Sequence, residues 1–130
     1  MYTQITHAIK ISVDPVFLEE RSDPDDDHFV WAYQVHIQNN RDETVTLLKR
    51  RWMITDQYGT VHEVKGEGVV GEQPTLAPGD SFSYTSGTPL SAPSGMMFGE
   101  YTFVNAKGEK LKTHIPAFSL DSPYAEFLLN

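Results

Sequence analysis

Cysteine is absent from the 130-residue chain, and long hydrophobic runs are absent as well. Without cysteine the protein cannot contain disulfides, thiolate-bound zinc, iron–sulfur clusters or a cysteine nucleophile. No apolar run approaches the roughly 20 residues that a membrane helix needs. The N-terminal residues Met1–Ile5 do not place an apolar stretch after a basic segment. The sequence therefore predicts neither a membrane span nor a signal peptide.

Basic residues are scarce, since 10 lysines and arginines face 18 aspartates and glutamates, for a net charge of −8 at pH 7. Binding to a nucleic-acid backbone requires a basic surface, so this class of partner is not expected. The length suits one domain over residues 1–130 with a hydrophobic core of its own.

Helical periodicity is missing, and alternation of apolar and polar residues dominates instead. Seven strands are predicted, over residues 5–13, 29–38, 44–55, 61–64, 80–85, 96–104 and 110–120. Turn-forming residues separate them, which indicates an all-β, two-sheet antiparallel sandwich of the immunoglobulin or fibronectin type III kind; a closed barrel is the alternative. The intervening segments 66–80 and 86–95 are predicted loops, and residues 124–129 form a helical turn or a tail.

Single residues refine this prediction. Trp31 and Trp52 are expected to fill the space between the sheets. A change of parity along 44–55 predicts a bulge or bend, and Pro116 predicts an edge position or a bulge in the last strand. Among the histidines, His7 and His114 have the parity of the core, whereas His36 has that of the surface.

A glycine-rich string, Gly66–Gly71, matches the pattern G-x-G-x-x-G. In dinucleotide-binding folds such glycines bring backbone amides to a pyrophosphate at the start of a helix. Here Pro74 follows closely and no βαβ unit surrounds the string. Two readings stay open: a loop that needs positive φ or close packing, and a weak anion site on the amides of Gly66, Gly68 and Gly71.

Two groups of residues raise the question of metal binding. Six carboxylates crowd into residues 19–27, but Pro24 and the missing glycine depart from a calcium loop, so an exposed, solvated loop is the alternative to weak cation binding. The five histidines show no ligand-pair spacing. No metal ligand and no cofactor are assigned, although a cobalt site assembled across strands stays open.

Basic and hydroxyl-bearing segments are candidates for contact with other molecules. Lys49–Arg51 is either a charged outer face beside a bulge or a contact for an anion or acidic peptide. The hydroxyl-rich segment Tyr84–Leu90 would line a pocket with Gly66–Pro74 if both lie at one end of the sandwich. No nucleophile elbow, zinc-protease motif or phosphate-binding lysine loop occurs in the sequence, so an enzyme is not predicted.

Several segments together carry a resemblance to a known family: Trp31–Tyr33, Arg51–Asp56, Gly66–Pro74, Leu76–Gly79, Tyr84–Leu90 and Ile115–Phe118. In these segments, which extend over nearly the whole chain, the protein resembles the bacterial ApaG family. The resemblance implies a fibronectin-like sandwich and a small cytoplasmic protein linked to cobalt resistance and to magnesium or cobalt efflux. It also implies protein binding, because the same domain occurs in an F-box protein and in a polymerase-interacting protein.

From these observations the sequence predicts a non-enzymatic module that recognises a protein partner and affects divalent-ion handling indirectly. The expected contact residues lie in two loops: Glu72, Gln73, Thr85, Ser86 and Thr88. The alternative is a sensor of phosphate, pyrophosphate or a divalent cation. A homodimer through sheet edges also stays open.

Overall fold

The computed structural model describes residues 1–128, with side chains described as far as residue 125. Nine strands account for most of the chain: β1 Tyr2–Thr6, β2 Ile9–Phe17, β3 Phe29–Asn39, β4 Val45–Asp56, β5 Val61–Glu67, β6 Thr75–Leu76, β7 Ser81–Leu90, β8 Gly95–Asn105 and β9 Lys110–Leu120. Three short 3-10 helices occur at Glu19–Arg21, Pro24–Asp26 and Pro123–Leu128. None of the helices described is long and apolar enough to cross a membrane.

The strands form two antiparallel sheets that pack face to face. The first sheet has the order β1-β2-β3-β7, and the second has the order β5-β4-β8-β9, with β6 also paired to β4. This arrangement confirms the predicted all-β sandwich. The β1 and β9 edges lie close together, and the amide of His114 donates to Thr6 Oγ1 at 3.2 Å.

The core confirms the expected role of both tryptophans. Trp31 and Trp52 are buried, and Trp52 packs edge-on against Tyr33 at 5.3 Å and against Phe118 at 5.9 Å between ring centroids. The Trp31 indole Nε1 also donates to the carbonyl of Asp121 at 2.8 Å. Large aromatic rings therefore fill the space between the two sheets, and the indole of Trp31 has a hydrogen-bond partner there.

The segment predicted as a single strand over residues 5–13 is in fact a hairpin. His7 and Ala8 have positive φ angles of 51° and 60° and form its turn, while Thr6 pairs with Ile9. The turn escaped prediction because it has none of the Asn-Gly or Gly-Gly sequences that usually mark a two-residue hairpin. His7 consequently lies exposed in the turn, and its predicted inward orientation is wrong.

The predicted loop over 86–95 is also wrong in its first half, because β7 continues to Leu90. In the extra residues Trp31 pairs with Thr88 and Phe29 with Leu90. Ser, Gly, Thr and Pro are typical of loops, but pairing along β3 keeps this segment extended, so tertiary contacts override composition. Within 66–80, residues 66–67 complete β5 and Thr75–Leu76 forms β6, so this prediction also needs correction.

Both predicted irregularities are confirmed. The register between β4 and β8 shifts between Leu47 and Lys49. The register between β8 and β9 shifts between Met97 and Gly99, and Pro116 lies opposite this shift in β9, which is an edge strand. Extra residues in a strand invert the alternation beyond them. For this reason Thr113 and Ile115 face inward while His114 is exposed, contrary to its predicted parity; His36 is exposed as predicted.

Candidate functional site

The glycine-rich string forms a tight hairpin after β5. Val69 and Glu72 exchange two backbone hydrogen bonds of 2.8 and 2.9 Å across Val70 and Gly71, which both have positive φ angles. Gly68 also has positive φ, and its amide donates to the carbonyl of Leu48 at 2.7 Å. The amides of Gly68, Val69 and Glu72 are therefore already bonded within the protein.

Arg50 lies between this hairpin and the core. Its Nη1 donates to the carbonyls of Glu67 and Gly68, each at 3.0 Å. Its guanidinium packs on Gly66, where a Cβ atom would come within 2.6 Å of Nη2. Among the side chains that the structure describes, no carboxylate forms an ion pair with Arg50. Arg50 is thus a positioned cation whose Nε and Nη2 have no hydrogen-bond partner in the described part of the protein.

Three tyrosines cluster next to Arg50. The hydroxyls of Tyr84 and Tyr101 form a short hydrogen bond, and Tyr33 pairs with Ser86 in the neighbouring strand. Burial raises the pKa of the hydroxyls of Tyr33, Tyr84 and Tyr101. The positive charge of Arg50 lowers these pKa values, but by less than burial raises them. These hydroxyls therefore stay protonated at neutral pH.

A cavity of about 170 Å³ opens at this point between β7 and the hairpin that follows β5. We call it the tyrosine cleft; its lining is Tyr33, Arg50, Trp52, Val69, Val70, Gly71, Tyr84 and Ser86. It supplies hydroxyl donors, one guanidinium and an apolar wall, and this lining contains no carboxylate or imidazole. Such a set of groups can bind a small anion.

The predicted contact residues fall in different places. Gly71 and Ser86 meet in the tyrosine cleft, as the expected pocket between the two segments requires. Thr85 and Glu72 are exposed, whereas Thr88 is buried beside Trp31. The side-chain amide of Gln73 donates from Nε2 to the carbonyl of Leu48 at 3.1 Å. Gly66 packs against the guanidinium of Arg50, and Gly68 lies inside the hairpin against Glu72.

Sequence reasoning placed Arg50 and Tyr84 in two separate candidate segments, did not bring them together, and did not assign Tyr33 to a site. The tyrosines have the parity of core residues, and the aromatic alternation of β3 and β7 gives no sign of a cavity. Arg50 did leave a signal, because it shares the inward parity of Trp52 and Ile54 beyond the bulge. An arginine at a core-facing position indicates a partly buried charge that needs partners.

A second feature lies on the outer face of the second sheet. A groove of about 490 Å³, which we call the basic groove, is lined by Lys49, Arg50, Arg51, Lys65, Gly66, Glu67, Glu100, Thr102, Lys110 and Lys112. Six of the ten basic residues of the chain meet here with two of its 18 acidic residues. Lys49 and Arg51 point outward beside the bulge, as predicted for a charged outer face, whereas the prediction is wrong for Arg50, which has inward parity and is half-buried.

Some charges of the basic groove are neutralised locally. Arg51 bonds Glu63 at 2.7 Å and lies 3.8 Å from Glu100, and Lys112 lies 3.7 Å from the same carboxylate of Glu100. The Arg51 guanidinium lowers the pKa of Glu63. Lys49 and Lys110 form no ion pair with the side chains described here, so the groove keeps an excess of positive charge.

The residues considered for metal binding do not converge in the described structure. All five histidines are exposed, and the acidic segment 19–27 is an exposed connection built on two 3-10 turns. Among the side chains described, which extend to residue 125, no group of three or more histidine, aspartate and glutamate side chains is arranged to hold a metal ion.

Comparison with known proteins gives a consistent family. The family model described as the ApaG domain matches residues 19–105. Protein ApaG of Parvibaculum lavamentivorans is 58% identical over 130 residues, and that of Agrobacterium fabrum is 57% identical, each with the whole of both chains covered. A crystal structure of a protein described as ApaA from Bordetella pertussis superposes with a TM-score of 0.85 at 43% identity, covering 88% of this chain and 94% of the other. The chain therefore belongs to the ApaG family.

Proposed function

We propose that this protein is a non-enzymatic binding module whose basic groove takes an acidic, extended segment of a protein partner. The observation that carries the proposal is the segregation of charge. The chain has a net charge of −8, yet six of its ten basic residues line one groove on one sheet. Charge separation of this kind steers association with a partner of opposite sign and disfavours partners of like sign.

The surface around the basic groove supports a peptide ligand. On the same outer face, toward the other end of β4 and β8, Met96 and Phe98 are 48% and 43% exposed. An acidic segment followed by an apolar residue would place its charges on the lysines and its apolar side chain on Met96 and Phe98. Burial of apolar area would add affinity to the electrostatic attraction, which by itself contributes little at an exposed surface.

The experiment uses a short fluorescent peptide of alternating glutamate and valine and a matched peptide with glutamine in place of each glutamate. We expect the acidic peptide to bind by anisotropy and to weaken steeply as salt is raised. The double variant Lys49→Glu/Lys112→Glu should weaken binding by about tenfold or more, because two attractive charges become repulsive.

The matched control is Lys10→Glu/Arg21→Glu, which alters the net charge equally on residues outside the groove. This variant should retain most of the binding. Equal losses in both variants, or equal binding of the glutamine peptide, would show that the basic groove is not the contact surface.

We further propose that the module acts in the cytoplasm and affects cobalt and magnesium handling through its partner. Support comes from the family. It also comes from the two sites, whose linings contain basic and hydroxyl side chains, whereas the described residues contain no cluster of metal-ligating side chains. A strain lacking the protein should become sensitive to cobalt, and the wild-type gene should restore resistance. The Lys49→Glu/Lys112→Glu variant should fail to restore it, whereas restoration by that variant would separate the groove from this role.

A further inference from the structure

The tyrosine cleft is a second site on the inner side of β4. Arg50 lines both sites, whereas the other five basic residues of the basic groove do not line the cleft. Residues of β3, β4 and β7 and the hairpin after β5 form its walls. Its volume of about 170 Å³ is below the roughly 300–1,000 Å³ of pockets that hold drug-sized molecules. The ligand must accordingly be small, or be the end of a larger chain.

The cation of the cleft is held in place before any ligand binds. The carbonyls of Glu67 and Gly68 fix one end of the Arg50 guanidinium, and Gly66 provides the space for its flat face. Nε and Nη2 have no hydrogen-bond partner in the described residues, so two nitrogen atoms with three N–H groups remain for a ligand. A fixed guanidinium loses little freedom on binding and matches the planar, two-oxygen shape of a carboxylate.

The tyrosine pair adds a directed donor. Tyr84 and Tyr101 together have two hydroxyl protons, and the hydrogen bond between them uses one. Tyr101 is completely buried, whereas Tyr84 lines the cavity. Donation from Tyr101 to Tyr84 satisfies the buried hydroxyl and leaves the proton of Tyr84 available to the cleft.

We propose that the tyrosine cleft binds a monocarboxylate with a small apolar group, through Arg50 and Tyr84. A single cation matches one negative charge, while Trp52 and Val69 give an apolar wall. A phosphate dianion fits less well, because no second cation lines the cleft. The carboxylate belongs either to a free small molecule or to the C-terminus of a peptide chain, and both present the same chemistry.

The first experiment titrates ¹⁵N-labelled protein with benzoate, with benzamide as a neutral equivalent, and with inorganic phosphate. Benzoate should shift the amide signals of Val70, Gly71 and Ser86 and the indole signal of Trp52, and benzamide should not. Absence of benzoate shifts at millimolar concentration, or shifts at these residues with phosphate instead, would overturn the proposal. A tetrapeptide ending in phenylalanine, with its C-terminal amide as control, then distinguishes the two sources of the carboxylate. If the tetrapeptide with a free C-terminus binds more tightly than benzoate, the site takes a chain end. If benzoate binds more tightly, the site takes a small molecule.

Two substitutions test the roles of the named residues. Arg50→Gln should weaken benzoate binding by tenfold or more, and Tyr84→Phe by about threefold to tenfold, as expected for a charged and a neutral hydrogen bond. Tyr84→Phe retains the ring, so this variant keeps the test valid if Arg50→Gln disturbs the hairpin. Arg51→Gln, on the outer face, is the matched control and should leave benzoate affinity unchanged.

The cleft and the basic groove can fail independently. Lys49→Glu/Lys112→Glu should weaken acidic-peptide binding and leave benzoate affinity unchanged. Tyr84→Phe should weaken benzoate binding and leave acidic-peptide binding unchanged. If benzoate affinity were unchanged in both Tyr84→Phe and Arg50→Gln, the carboxylate would not bind in the tyrosine cleft.

Discussion

The guanidinium of Arg50 occupies the space where Gly66 lacks a side chain, and a Cβ atom there would stand 2.6 Å from Nη2. The two residues are direct cross-strand partners in β4 and β5. Glycine at position 66 therefore serves the neighbouring strand, since it allows a long cation to lie flat against the backbone and reach the hairpin carbonyls.

Gly66→Ala should displace the guanidinium and break its bonds to the carbonyls of Glu67 and Gly68. Because the clashing group is the end of a flexible side chain, the free energy of unfolding should fall by only about 1 kcal/mol. Benzoate binding should fall by at least severalfold. Gly108→Ala is the control: Gly108 has positive φ with open space around it, so its replacement costs stability without affecting the cleft. Unchanged benzoate affinity in Gly66→Ala would argue against the fixed-guanidinium mechanism.

Gly68→Ala should be much more damaging than Gly66→Ala. A Cβ atom at Gly68 would lie 2.0 Å from the carbonyl oxygen of Glu72, and the residue has a φ angle of 59°. The backbone of Gly68 and that of Glu72 cannot move apart without breaking the hairpin. We therefore expect the free energy of unfolding, measured in urea, to fall by about 3 kcal/mol. Gly71→Asn, at an open position that also has positive φ, should cost less than about 1 kcal/mol. A loss below about 0.5 kcal/mol in Gly68→Ala would contradict this prediction.

The sheet arrangement was predictable wherever the two faces of a strand differ in polarity. Phe29, Trp31, Tyr33, Val35 and Ile37 are all buried, as their alternation indicates. Alternation also continued through the hairpin at His7-Ala8 without a visible break, so β1 and β2 merged into one predicted strand. The second half of β7 was missed because its residues are mostly polar and typical of loops. Backbone pairing with β3, rather than the β propensity of its own side chains, keeps this segment extended.

The candidate sites were less predictable than the sheets, for a topological reason. Lys49 and Lys112 are far apart in sequence and line the same groove only because β4 and β9 both pair with β8. No local pattern encodes that order of strands. The inward parity of Arg50 was visible, but its meaning depended on Gly66 and on the hairpin carbonyls, which come from another strand.

Asn39→Ala should destabilise the protein by about 2–4 kcal/mol, because the buried amide of Asn39 connects three backbone segments. Its Nδ2 donates to the carbonyls of Glu43 and Leu76 at 2.9 and 3.0 Å, and its Oδ1 accepts from the amide of Arg41 at 3.0 Å. Asn39→Asp should be at least as harmful, since a carboxylate cannot donate to those two carbonyls. Urea unfolding at neutral pH measures both changes, with the exposed Asn40→Ala as control; an Asn39→Asp variant as stable as wild type would contradict the assigned amide orientation.

The buried tyrosine pair should make the protein less stable in alkali. Burial raises the pKa of Tyr84 and Tyr101 above the ordinary value of 10.0, so the folded state keeps protons that the unfolded chain releases above about pH 10. The free energy of unfolding should therefore fall as the pH rises above 10, by up to about 1.4 kcal/mol per pH unit for each tyrosine that stays protonated. Tyr101→Phe removes one of these groups and should flatten the slope measured by urea unfolding at several pH values. Thr113→Val removes a different buried hydroxyl and keeps both tyrosines, so it should preserve the wild-type slope; if Tyr101→Phe preserved it as well, the hydroxyl of Tyr101 would not be held protonated by the fold.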